Sequence, residues 1–426
     1  MREPVDAASN PAPRSLVRRI WWLAAALVLV GAIAASAVYI CAFDDHHFTD
    51  LDVYLGGGQV WRDGADLYQA QLPTPFPKFT LRFTYPPLAA VLFSALTVLP
   101  AGLAAALFTA GTMGALAASL RLVLARLLPV GFARRYPLPV LALASTLAAT
   151  WLEPVRETIS FGQVNVLLLV LVLADCLVAR PWWPRGLLIG LAAAVKLTPA
   201  VFVLFFLVRR QWRPVLTAVG GFLGLCLAGA LLAPRDSLDY WFGALFDTKR
   251  IGVLGFSYNQ SLRGVLARVA VDTGWQNPLW LGLSVLVLAV TVLVAARARA
   301  AGEDVAALLA VAACGLLVSP VSWAHHWVWV APGLVWAAVR VARAHSWTAC
   351  VLGLYAWYLC LFTPYRLPPQ LREPGQYWDF GESLLGNLYV WLAIAMLGSM
   401  AVWTARLRLG AASRLRGSGQ SLAQPA

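Results

Sequence analysis

The 426-residue chain is 60% hydrophobic and only 12% charged, with a mean hydropathy of +0.71. A soluble globular domain lacks the interior to hide that much apolar surface, so the balance excludes one and describes a polytopic membrane protein. The formal net charge of +13 would suit a nucleic-acid partner, but the arginines stand in short clusters between apolar runs, where they orient membrane spans.

Arg14, Arg18 and Arg19 precede residues 20–42, an uncharged run of about the length that crosses roughly 30 Å of hydrocarbon. The run is too long for a signal-peptide core and lacks a small-residue cleavage site, so a retained first span is expected, with its N-terminus in the cytoplasm. It is followed by DDHHFTDLDVYLGGG, in which Asp44, Asp45, Asp50 and Asp52 crowd the mouth of the span. Later basic clusters at 121–135, 180–185, 209–213, 297–299, 340–343 and 406–416 are assigned to the same inner side. The opposite side then receives 44–83, 153–165, 234–275, 319–326 and 363–382, which hold nearly all the acids, a histidine pair and many aromatics.

An all-α bundle of roughly ten to twelve transmembrane helices is expected from these runs. Parity raises a difficulty at 85–120, which reads as two spans split at Pro100 where an odd number of crossings is needed, so one piece must be partial. Residues 186–208 are flanked by arginines and broken at KLTP, which suits two short helices rising and returning with Lys196 near the apex. Polar tails at 1–13 and 417–426 are expected to be disordered. Cys41, Cys176, Cys226, Cys314, Cys350 and Cys360 lie singly and read as small core residues.

On a helical reading Asp50 and Tyr54 share one face and Asp52 points about half a turn away. The bland alternative is that these acids are solvated loop charges. Gln163 and Asn165 open a run that should be apolar, so they are expected to line a cavity. Lys196, in the middle of AAAVKLTPAVF, either snorkels to an interface or meets an anion such as a phosphate. His325 and His326 in SPVSWAHHWVW point to different faces of a helix and cannot readily share a metal; no metal-binding spacing is present, and no metal or other cofactor is expected. Tyr258, Asn259, Gln260 and Arg263 supply amides, a hydroxyl and a guanidinium suited to a polyhydroxylated or phosphorylated ligand. The NQS triplet there matches a glycosylation acceptor only weakly.

Together DLxVY (Asp50 to Tyr54), FTYPP (which contains Tyr85), GQVN, KLTP, YNQSLRG and SWxHHW resemble glycosyltransferase family 87, whose members are integral-membrane enzymes of the GT-C fold. The pattern looks most like its actinobacterial polyprenol-phosphate-mannose-dependent α-(1→2) mannosyltransferases. The resemblance implies a polyprenyl-phosphate-mannose donor, a mannosylated phosphatidylinositol lipid acceptor, and a catalytic domain over 20–404 between cytoplasmic tails at 1–19 and 405–426. It implies Asp50, the first position of DLxVY, as catalytic base; Asp52 fills the variable position and is the alternative, with Asp45 a more distant third. The remaining substrate-binding set is Tyr54, Tyr85, Gln163, Asn165, Tyr258, Asn259 and Gln260, with Lys196, Arg263, His325 and His326 for the phosphate. Two rivals are an arabinofuranosyltransferase using a polyprenyl-phosphate donor and a transporter. Acids concentrated on one face and the lack of two related halves favour a transferase over a transporter.

Overall fold

The computed structural model describes residues 12–44, 47–73, 80–247, 250–345, 347–373 and 375–421. These are helical throughout, and β-pairing among them is confined to two isolated bridges, Leu72 with Leu81 and Asn259 with Trp323. Five helices are long and apolar enough to cross a membrane: Leu16–Phe43, Ala101–Leu127, Trp212–Leu232, Thr273–Ala300 and Leu388–Leu407. Leu138–Thr150 and Glu153–Phe161 together pass the same test but are bent by 81°, and Asn165–Leu177, Thr198–Val208 and Asp304–Val318 are shorter apolar helices. Against the expected ten to twelve spans, five helices among the described residues, or six with the bent pair, are long and apolar enough to cross.

Exposure divides these helices by role. Leu23, Leu27 and Val28 of the first helix are exposed, as lipid-facing residues would be. Asp304–Val318, rich in alanine, is buried almost all round. Small side chains let neighbouring backbones approach closely, which is how helices gain contact area where hydrocarbon supplies no hydrophobic drive.

The two parity difficulties have structural answers. Pro87–Ser94 is a helix of 8 residues, roughly 12 Å at 1.5 Å per residue, so it is the partial piece. Ala101–Leu127 makes the crossing. At KLTP, Leu187–Val195 ends as Lys196 turns extended (φ −150°, ψ 124°), and the chain resumes as the 3-10 turn Thr198–Phe202. Pro199 has no amide donor to continue the helix. Helix also covers positions 12–13 and 417–421 of the tails expected to be disordered. Asp45, residues 1–11 and residues 422–426 lie outside the described residues. All six cysteines are free thiols, and Cys176, Cys314 and Cys360 are buried.

Two apolar clusters form the interior. The larger fills the space between the long helices, around Leu116, Leu169, Val311 and Leu317. The smaller gathers Leu51, Tyr54, Tyr68, Phe83, Tyr85, Phe93 and Phe108, and pins the helix Thr49–Arg62 against Pro87–Ser94. Gly58 permits that approach: a Cβ there would stand 2.8 Å from the backbone of Ser94.

Candidate active site

One cavity of about 590 Å³ draws on six separated parts of the chain. Thr49 and Asp50 reach it from the first turn of Thr49–Arg62, and Arg82, Thr84 and Tyr85 from the segment that follows. Gln163 comes from the GQVN turn, Lys196 from the KLTP break, Tyr258 from the 247–264 loop, and Trp323, His325 and His326 from SWxHHW.

Local backbone explains why Asp50 and Gln163 meet. Gly162 ends the helix Glu153–Phe161 with φ +65°, a left-handed conformation that side chains resist. A Cβ at this glycine would also lie 2.7 Å from Cβ of Leu51, so the motif needs glycine on two counts. The amide of Phe48 then donates to the Ser160 carbonyl at 2.8 Å, which ties the start of the aspartate helix to the same turn.

Beneath Asp50 lies a closed polar triangle. The Tyr54 hydroxyl donates to Gln163 Oε1 at 2.7 Å, Gln163 Nε2 donates to the Tyr85 hydroxyl at 3.1 Å, and the two hydroxyls are 3.0 Å apart. Because the Tyr54 proton is already given to Gln163, the short hydroxyl contact takes its proton from Tyr85. Tyr54 is fully buried and stacks on Phe93 with centroids 4.3 Å apart, so it supports Tyr85 and Gln163 from behind and does not face the cavity. Asp50 lines the same cavity as Tyr85, Gln163 and Lys196.

The cationic side is equally organised. Lys196 Nζ donates to Asn165 Oδ1 at 2.9 Å, lies 3.2 Å from His326 Nε2, and sits 5.4 Å over the Tyr85 ring. An ammonium can only donate, so His326 Nε2 accepts and the imidazole carries its proton on Nδ1. Asn165 Nδ2 and the Thr158 hydroxyl both donate to the His325 carbonyl, at 2.9 and 3.0 Å, which fixes the backbone that presents the two histidines. The rings of His325 and His326 meet edge to face, 4.8 Å apart, and His325 also packs on Phe161.

Several expected site residues fall elsewhere. Asp52, on the same helix as Asp50, does not line the cavity; partial burial raises its carboxyl above the ordinary range. Asn165 supports Lys196 and borders a small neighbouring cavity of about 60 Å³. Asn259 is fully buried, with its amide bonded to the carbonyls of Leu254 and Pro320 and accepting from Ser322 N, so it is scaffold and no glycosylation acceptor. Gln260 likewise bridges Ser257 O, Gly386 O and Tyr389 N. Arg263 turns away to Asn277 and lies 5.0 Å over Trp280. Asn259, Gln260 and Arg263 are committed to protein partners outside the cavity, whereas Asn165 is bonded to Lys196 and His325 of its wall.

Reading the sequence missed Arg82 and Arg250, which line the cavity, and a buried network behind Tyr258. There Glu153, fully buried, accepts from the hydroxyls of Tyr365 and Tyr389, while Glu157 pairs with Arg366, whose guanidinium lies 5.3 Å over the Tyr258 ring. Two glutamates four residues apart in EPVRETISF, one turn apart on a helix face, were the available signal.

A helical body with membrane-length spans and a polar cavity that joins a carboxylate to an ammonium–imidazole pair suits proton transfer beside an anionic group at a membrane. The chain belongs to glycosyltransferase family 87, whose sequence profile matches residues 83–320. It is 40% identical over 392 residues to the polyprenol-phosphate-mannose-dependent alpha-(1-2)-phosphatidylinositol mannoside mannosyltransferase of Mycobacterium tuberculosis, covering 89% of this chain and 90% of that protein. The enzyme of the same name from Mycolicibacterium smegmatis is 40% identical over 82% of each chain. A phosphatidylinositol pentamannoside mannosyltransferase from the latter organism is 36% identical, over 84% of this chain and 88% of that one. No solved structure matches the chain.

Proposed function

We propose that this protein transfers mannose from polyprenyl-phosphate-mannose to the 2-hydroxyl of a mannosylated phosphatidylinositol lipid, forming an α-(1→2) linkage at the outer face of the plasma membrane. The relatives' activities supply the substrates. The observation within the chain that carries the reading is the convergence of Asp50, Lys196 and His326 on one cavity from segments more than a hundred residues apart.

The donor is β-linked and the product α-linked, so a single displacement with inversion is required. The acceptor 2-oxygen attacks the anomeric carbon and gives its proton to the Asp50 carboxylate. The bond from that carbon to the phosphate oxygen breaks, and polyprenyl phosphate leaves with the electron pair. Lys196 and His326, already joined to each other, stabilise the departing anion by charge and hydrogen bonding. Tyr85 and Gln163 border the sugar, held in place by Tyr54. The N-terminus is cytoplasmic in this reading, in keeping with the arginines around the first span.

Purified protein in detergent, given radiolabelled polyprenyl-phosphate-mannose and phosphatidylinositol mannosides, tests this directly. Label should pass to the glycolipid fraction; label retained wholly in the donor, with every mannoside tried, would contradict it.

A further inference from the structure

The cavity has a second cationic pole that the mechanism leaves unused. Arg82 and Arg250 both line it, and neither belongs to the Lys196–His326 cluster. Arg250 gives one arm to the Tyr68 carbonyl and lies 5.8 Å over the Tyr68 ring, while its buried Nε has no hydrogen-bond partner. Burial and the neighbouring Arg82 charge both work against the Arg250 cation, with Asp247 and Tyr68 acting the other way. Both guanidiniums border a cavity whose wall is otherwise largely apolar, and their planar forks match a phosphate.

Arg250 also opens onto a second, more open cavity of about 580 Å³ that includes Tyr68, Gln69, Asp239 and Asp247. Carboxylates and an amide are acceptors and donors that sugar hydroxyls require, while the Tyr68 hydroxyl is spent on the Tyr85 carbonyl at 2.7 Å. Leu238 and Phe242 complete its wall and are 62% and 81% exposed, so apolar surface continues outward from the polar lining. Hydroxyls, one phosphodiester and apolar tails, in that combination, describe a glycolipid headgroup at a membrane edge.

We propose that Arg82 and Arg250 hold the phosphodiester of the anionic glycolipid acceptor, whose hydroxylated headgroup extends into the adjoining cavity. The inference rests on the transferase reading above. Transfer brings two lipid phosphates to one cavity, and a single cationic pole would force the two anions together. Separate poles remove that repulsion: Lys196 and His326 serve the donor, Arg82 and Arg250 the acceptor.

The test compares a phosphatidylinositol mannoside with a neutral alkyl mannoside as acceptors, using wild type, Arg82→Gln, Arg250→Gln and Arg250→Lys. Each glutamine variant should raise KM for the anionic acceptor about tenfold, the loss expected of one charge-assisted hydrogen bond, with KM for the neutral acceptor and for the donor unchanged. Arg250→Lys should recover part of the loss. Arg82 is exposed, so its variant reports binding even if Arg250→Gln weakens the fold. Equal loss with both acceptors, or a rise confined to donor KM, overturns the assignment. Wild type that transfers mannose to neither acceptor points instead to failure of the transferase reading.

Discussion

Replacing Asp50 by asparagine keeps the size and most hydrogen bonding of the side chain but removes its ability to take a proton. General-base catalysis is worth roughly 10²- to 10⁴-fold in rate, or about 2.7 to 5.5 kcal/mol of transition-state stabilisation, so turnover should fall at least about a hundredfold. The structure sharpens this. Lys196 keeps its contacts with Asn165 Oδ1 and His326 Nε2 whatever stands at position 50, so the phosphate side of the cavity should stay assembled while turnover collapses.

Asp52→Asn is the matched control, because Asp52 lies off the cavity and should cost only a fewfold in rate. Its pH behaviour is distinct as well. Burial raises the Asp52 carboxyl, so the folded protein holds that proton more tightly than the unfolded chain, and stability falls as pH rises from the ordinary carboxylate range through the raised value. Asp52→Asn should abolish that step and melt no earlier than wild type at neutral pH. The assay is mannosyl transfer by both variants at saturating donor and acceptor, alongside thermal melts. An inactive Asp52→Asn beside an active Asp50→Asn would refute the reasoning, and two active variants would move the base out of this helix.

Alanine at Lys196 or His326 should raise donor KM or lower turnover by tenfold or more, on the order of one charge-assisted hydrogen bond, while the protein extracts and elutes normally; unchanged donor kinetics in both would place the phosphate elsewhere. Asn259→Ala should lower stability by about 1–3 kcal/mol, since it strands the Ser322 amide and two buried carbonyls, whereas Arg263→Ala should fold and turn over like wild type; melting temperatures and activity of the pair check both statements. For orientation, a cysteine at Asp63 should react with an impermeant thiol reagent added outside intact cells and one at Arg210 should not, and the reverse pattern would invert the topology.

Much of the site was legible because buried polarity is conspicuous in an apolar chain. Gln163, Asn165 and Lys196 each interrupt runs that should be hydrocarbon; Asn165 and Lys196 prove to be bonded to each other, and Gln163 to Tyr54 and Tyr85, over whose ring Lys196 sits. Of the helical phase that joined Asp50 to Tyr54 and set Asp52 aside, the structure keeps Asp50 on the cavity wall and Asp52 off it, but buries Tyr54 behind Tyr85 and Gln163. What sequence could not separate was cavity lining from scaffold. Asn259, Gln260 and Arg263 have the chemistry of sugar ligands, but each is taken by a carbonyl or amide far away in the chain, such as Gly386 O for Gln260. Such pairing depends on tertiary approach and leaves no local pattern. Arg82 and Arg250 were overlooked for the converse reason, since a loop arginine looks solvated until the fold sets it on the wall of a cavity. Helix count was similarly obscured, because an eight-residue stub at Pro87–Ser94 reads as part of an apolar run until proline at position 100 is seen to separate it from the true crossing.

The most direct measurement of the central claim is the structure of the product. Purified protein should be incubated with β-linked polyprenyl-phosphate-mannose and a phosphatidylinositol mannoside, and the new glycolipid examined by linkage analysis and by the one-bond carbon–hydrogen coupling at its anomeric centre. A single added mannose, α-linked to the 2-hydroxyl of the acceptor's mannose, is the predicted result. A β-linked sugar, attachment at another hydroxyl, or transfer of a pentose in preference to mannose would contradict the account.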